Sequence, residues 1–251
     1  MASASAADLA NFFVARRATQ RGAHSAAGRP VWPNPADARM LTDNASLVGE
    51  HAFNGAGVPE GFRFPIAAAQ DLMPPLQVQQ ADHAGALALQ WNALPTARAY
   101  FAAGMGAAHQ DEMVIWSSSE LPDTGFGLLD YQTNTAVDRW LREKVLLSTA
   151  TTQCTVPKGV FPGEGAMLRV IAYGNELNLV HPPRPADPQA AWAPLWAVKL
   201  RVKSVAMLMP GMPAMGNMPP TERGSDKPGQ PAEKDEPSLK PMDLLKGILG
   251  R

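Results

Sequence analysis

The sequence predicts a mainly β protein: an antiparallel sandwich with one inserted helix, a short helix ahead of it and a disordered tail behind it. Three observations carry this. Apolar residues recur on alternate positions at Leu87, Leu89 and Trp91, and again at Trp196, Val198, Leu200 and Val202, the period of a strand with one face in a core. The 24 prolines and 21 glycines suit short strands joined by turns, because proline breaks helix interiors. Between residues 46 and 206, short apolar runs alternate with Gly, Pro and Asp punctuation, as strands and turns do.

Taken in order, the chain opens with a helix signal at Ser5, with Leu9, Phe12 and Phe13 on one face and an end near Thr19. Residues 20–45, rich in Arg, Pro, Asn and Asp, read as an irregular connector, so 1–45 forms a helical arm and its link. The sandwich domain is expected at 46–206, with strands at 47–53, 62–66, 76–78, 87–91, 98–102, 113–116, 125–129, 151–156, 167–173, 177–180 and from Trp196 onward. Gly104 and Gly106 are expected in a turn. A single helix interrupts the series: Thr135 caps it, Asp138 sits in its first turn, and Val137, Trp140, Leu141 and Val145 face inward while Arg139, Arg142 and Lys144 face water. Lys199, Arg201 and Lys203 make one face of the last strand basic, which guards an edge against sheet-to-sheet association. Trp91 and Tyr100 are expected at the centre of a core shared with Ile171 and Trp196.

Beyond Ala206 the composition changes. Residues 207–240 form a Met/Pro-rich linker and then a Lys, Glu, Pro and Gly-rich stretch of disordered composition, expected to hold no packed element. Residues 241–251 read as a short amphipathic helix with Pro241 at its first position.

Composition narrows function by exclusion. With 45% hydrophobic and 18% charged residues, 251 residues suffice for a substantial core. A formal net charge of −1 offers no basic surplus for nucleic acid, and no run approaches the length of a membrane span. The start Met1-Ala2-Ser3-Ala4-Ser5 lacks the basic and apolar regions of a signal peptide. The lone Cys154 cannot form an intramolecular disulfide and reads as a small buried hydrophobe among strand residues.

Catalytic motifs are missing as well. There is no G-x-S-x-G elbow, H-E-x-x-H, C-x-x-C or phosphate loop, and the five histidines His24, His51, His83, His109 and His181 form no i, i+2 or i, i+4 pair. Ser117, Ser118 and Ser119 read as a polar turn. The expectation is therefore a protein that is not an enzyme and needs no cofactor. One alternative is a Cu(I) site: Met209, Met212, Met215 and Met218 recur every three residues, and thioether sulfur is a soft ligand that selects Cu(I). Another is an enzyme of unrecognised type, which would require His51, Asp111, Glu120 and His181 to converge in one pocket.

Two resemblances add to this. Leu89-Gln90-Trp91 through Ala99-Tyr100, and Leu168 to Asn175, resemble immunoglobulin/fibronectin type III-like sandwiches, which place a core Trp on the second strand and a Tyr on the third. The later strand departs from that pattern, with Ala166 and Met167 where such domains usually carry Tyr. Ser46-Leu47-Val48-Gly49, Gln153 to Pro157, Ile171 to Asn178 and the strand at Trp196 are similar to a group of uncharacterised exported proteobacterial proteins. That resemblance transfers no catalytic or binding residue. It implies a longer N-terminus with a signal peptide, and a periplasmic or secreted product if the true start lies upstream of Met1. The function expected is a binding or structural module of the bacterial cell envelope that presents loops or a sheet edge to a protein or polysaccharide.

Overall fold

The computed structural model describes residues 41–210 except 43, 110, 111, 163 and 164. The helix expected before Thr19, most of the Met/Pro-rich linker and the helix expected at 241–251 lie outside the described residues. Within them the protein is mainly β. The strands are β1 (Gly49–Ala52), β2 (Arg63–Ile66), β3 (Val78–His83), β4 (Ala86–Trp91), β5 (Ala99–His109), β6 (Glu112–Ser117), β7 (Gln153–Val156), β8 (Met167–His181) and β9 (Trp196–Leu208), with one α-helix, α1 (Asn134–Arg142).

Every strand pairing is antiparallel. β1 and β2 form a hairpin, β3-β4-β7 a three-stranded sheet, and β6-β5-β8-β9 a four-stranded sheet. The two larger sheets share one core. Leu76, Val78, Leu89, Trp91 and Val156 from the three-stranded side meet Tyr100, Ala102, Leu168, Val170, Ala172 and Leu208 from the other. The alternation at Leu87–Trp91 is thus the inner face of β4. Trp91 and Tyr100 stand at its centre as expected, with ring centroids 5.6 Å apart and the Tyr100 hydroxyl accepting from the Leu94 amide at 2.8 Å.

The opposite face of the four-stranded sheet is buried too, by the segment between β6 and β7. Leu128, Val137, Trp140, Val145 and Leu146 pack against Ala99, Phe101 and Ala103 of β5 and Ile171 and Tyr173 of β8. Ile171 therefore belongs to this second core and not to that of Trp91. The uninterrupted apolar run Val170 to Tyr173 suits a strand covered on both faces. Tyr173 is 1% exposed and its hydroxyl donates to the Leu128 carbonyl, tying the covering segment to the sheet.

Several local expectations are corrected. α1 is capped by Thr133 instead of Thr135: the Thr133 hydroxyl accepts from the Ala136 amide at 3.2 Å, and the helix begins at Asn134, whose side-chain amide exchanges hydrogen bonds with the Glu176 backbone. Val145 is buried but lies past the helix end, where its amide bonds the Trp140 carbonyl and Lys144 takes a positive φ. The run at 125–129 is a 3-10 turn (Phe126–Leu128) and not a strand; it is only one step of the cover over β5. Gly104 and Gly106 sit inside β5, not in a turn. A Cβ at Gly104 would lie 2.3 Å from Leu168 Cδ2, and one at Gly106 would lie 2.9 Å from Phe161, so glycine lets Leu168 and Phe161 close against the strand. β8 runs unbroken through Gly174 and Asn175, with a register irregularity between Tyr173 and Glu176. β9 continues past Ala206 to Leu208, which is 2% exposed in the first core.

The basic face of β9 is largely used internally. Arg201 donates through Nε and Nη2 to Glu176 Oε1 at 2.9 and 2.6 Å, with both side chains nearly buried. Burial pushes the Glu176 carboxyl up, but the hydrogen bonds from Arg201, Asn178 and the Asn134 backbone, with the Arg201 charge, outweigh it and hold the group below its ordinary value. Lys203 donates to the Leu129 carbonyl at 2.8 Å and lies 4.5 Å from the centre of the Tyr131 ring. The Lys203 contacts clasp the covering segment to the sheet and the Arg201–Glu176 pair ties β9 to β8, roles beyond edge protection.

Candidate functional site

Among the described residues proposed for an unrecognised active site, Glu120 and the two histidines are held in separate contacts. Glu120 pairs with Lys144 at 3.0 Å beside the covering segment, and Asp111 lies outside the described residues. His51 and His181 do share a neighbourhood, an aromatic cluster where the β1–β2 hairpin meets the far end of β8 and β9. His51 stacks on Phe64 at 5.6 Å and its Nε2 donates to the Leu47 carbonyl at 2.6 Å. Trp196 stacks on Phe62 at 4.8 Å and on His181 at 5.1 Å, both pairs within 14° of parallel. Trp196 is thus hairpin glue and not part of the Trp91 core. The ring faces here engage one another, which fastens the hairpin.

The serines are structural in the same way. Ser118 Oγ accepts from the Ala102 amide at 3.0 Å, Ser117 Oγ donates to the Asp123 carbonyl at 3.1 Å, and Ser119 Oγ accepts from the Leu121 amide at 3.2 Å. Cys154 points from β7 toward the first core, and burial pushes its thiol up to about 12, which leaves negligible thiolate near neutral pH. Among the described residues, no three His, Cys, Asp or Glu side chains gather as a metal site, and no helix is long and apolar enough to cross a membrane. Of the four tail methionines, Met209 is half-buried with its carbonyl accepting from Gln80 Nε2 at 3.2 Å; Met212, Met215 and Met218 lie outside the described residues.

What the fold does present is an open polar face on the three-stranded sheet. Gln79 of β3 opposes Gln90 of β4, which opposes Gln153 of β7, so three glutamines form one row across the sheet. Residues directly opposite on neighbouring strands share a face with Cβ atoms about 5 Å apart. The next row is Ala81, Ala88 and Thr155, all small, and a shallow depression of about 480 Å³ runs over both rows. All three glutamines are exposed, and none of their amides bonds another side chain or backbone group among the described residues.

Each amide offers two donors and an acceptor with two lone pairs, on a floor flat enough for an extended chain to lie on. Sequence reasoning missed this row. Its signal was a glutamine at an outward position of each of three strands, but only the register reveals that they align. Compared with protein-family models, curated proteins and solved structures, the chain matches none.

Proposed function

We propose that the protein is a non-enzymatic binding module of the bacterial cell envelope, built on an immunoglobulin/fibronectin III-like sandwich, whose glutamine row takes a neutral, polyhydroxylated chain. The strand order supports the fold assignment. With β3 to β9 taken as strands A, B, C, C′, E, F and G, the sheets read A-B-E and C′-C-F-G, and α1 occupies the C′ to E connection.

The observation that carries the ligand class is the row Gln79, Gln90 and Gln153 on an open face. A neutral face rich in paired donors and acceptors complements vicinal hydroxyls. His83 lines one end of the depression, but its lining holds no Lys or Arg for a polyanion and no central aromatic or aliphatic anchor of the kind protein interfaces bury. A polysaccharide is accordingly favoured over a protein partner, and nucleic acid is disfavoured by the net charge of −1.

Affinity electrophoresis of the full chain through gels containing neutral glucans or mannans tests this. The expected result is retardation by at least one polymer and its loss in Gln90→Ala, the middle member of the row. Equal mobility in every gel, or undiminished retardation of Gln90→Ala, would overturn the assignment.

A further inference from the structure

The outer face of the four-stranded sheet carries a second surface, independent of the glutamine row. The covering segment reaches as far as Ala103, which is 7% exposed, and then stops. Past that limit the sheet face is made largely of methionine. Met105 of β5 opposes Met167 of β8, and Ala107, two residues along β5, opposes Met113 of β6. Met207 of β9 opposes Arg169, two residues along β8 from Met167, and alternation places it on the same side. The β8–β9 ladder ends at the Leu168–Leu208 pair, and the next residue, Met209, turns its carbonyl to Gln80 of β3.

Four of the chain's 12 methionines thus meet at one end of one sheet, although they come from four strands. Met113 and Met207 are 56% and 48% exposed, and Met105, Met167 and Met209 are half-buried. Met212, Met215 and Met218 follow Met209 within nine residues of sequence.

We infer that this end of the sheet binds Cu(I) through the thioethers of Met105, Met167 and the β9 methionine Met207. Opposed cross-strand residues have Cβ atoms about 5 Å apart and diagonal neighbours about 7–8 Å, within convergence range for three unbranched, flexible side chains. The donor set is neutral and soft. Among the described residues no group of three His, Cys, Asp or Glu side chains gathers to serve a hard divalent ion, whereas thioethers suit Cu(I). Arg169, the cross-strand partner of Met207, also acts electrostatically on Lys203 on the same face of the sheet. The sequence alone placed the whole site in the tail.

The test is anaerobic competition for Cu(I) between the full chain and a chromophoric Cu(I) chelator, comparing wild type, a Met105→Leu/Met167→Leu chain and a Met212→Leu/Met215→Leu/Met218→Leu chain. Leucine keeps the apolar volume, and a thermal melt verifies that each chain folds. The sheet variant is expected to lose tenfold or more in affinity. In the wild type, Ag(I), a redox-inert substitute, is expected to shift the methyl resonances of Met105 and Met167 in NMR. Failure of the wild type to compete, or a sheet variant that binds as tightly as wild type with unmoved Met105 and Met167 methyls, overturns the inference.

Discussion

The outer faces of the two sheets have opposite fates. That of the three-stranded sheet is polar and bare, with Gln79, Gln90 and Gln153 in a row over Ala81, Ala88 and Thr155. That of the four-stranded sheet is apolar, and most of it lies under the segment between β6 and β7, where Phe101, Val137, Ile171 and Tyr173 are at most 1% exposed. An apolar face must be covered or it becomes an interface, whereas a polar face is at home in water. The covering segment answers the first requirement and, by ending at Ala103, leaves a methionine-rich margin. The difference teaches that this architecture separates its work: one face carries stability, the other is free to carry recognition.

The comparison breaks most readily where the cover is removed. Trp140 is 5% exposed between α1 and the sheet, so Trp140→Ala is expected to cost about 3–5 kcal/mol, read as a lowered chemical-denaturation midpoint. A loss within about 0.5 kcal/mol would mean that the segment is an ornament on the sheet and not part of its core.

Next in size is the clasp between Arg201 and Glu176. Arg201→Met strands a carboxylate that is 7% exposed and is expected to cost about 3 kcal/mol at neutral pH. The pH dependence carries a sign. Because the folded Glu176 carboxyl is held below its unfolded value, its contribution is complete above the unfolded value and is lost as pH falls through the folded one. Wild type should therefore lose stability on acidification below about pH 4.5. In Arg201→Met, acid should restore part of the loss by neutralising the stranded charge. Asp71 is also held low: burial opposes this, but bonds from Leu47, Ser46 and Leu72 prevail. It adds the same slope to both chains, so their difference isolates Glu176. Parallel acid profiles for the two chains would contradict the clasp.

Smallest is the effect of touching the exposed row. Gln90→Ala is expected to change stability by less than about 0.5 kcal/mol in the same denaturation experiment, since a surface residue without a partner has little to lose. A large destabilisation would instead make the glutamine row a structural feature.

The uneven legibility of the sequence follows from the same division. Half-buried strands announce themselves by alternation, so Leu87 to Trp91 and Trp196 to Val202 were readable, and so was the apolar face of α1 at Val137 and Trp140. A strand covered on both sides has no alternation to read, and for that reason Ile171 was assigned to the wrong core. Phe126 to Leu128 has the composition of a strand, yet tertiary packing makes it a turn over β5. Gly104 and Gly106 look like turn residues until Leu168 and Phe161 are seen closing on them. Neither surface row was visible in the chain, because Gln79, Gln90 and Gln153, like Met105, Met167 and Met207, become neighbours only through strand register.

The central claim is that the bare polar face is the recognition surface, and side-chain amide NMR of the full chain titrated with a neutral oligosaccharide that retards it tests this most directly. The account predicts saturable shifts of the Gln79, Gln90 and Gln153 amides, with the methionine methyls and the aromatic end around Trp196 unmoved. Shifts confined to the methionine face or the aromatic end, with the glutamine amides unchanged, would contradict it.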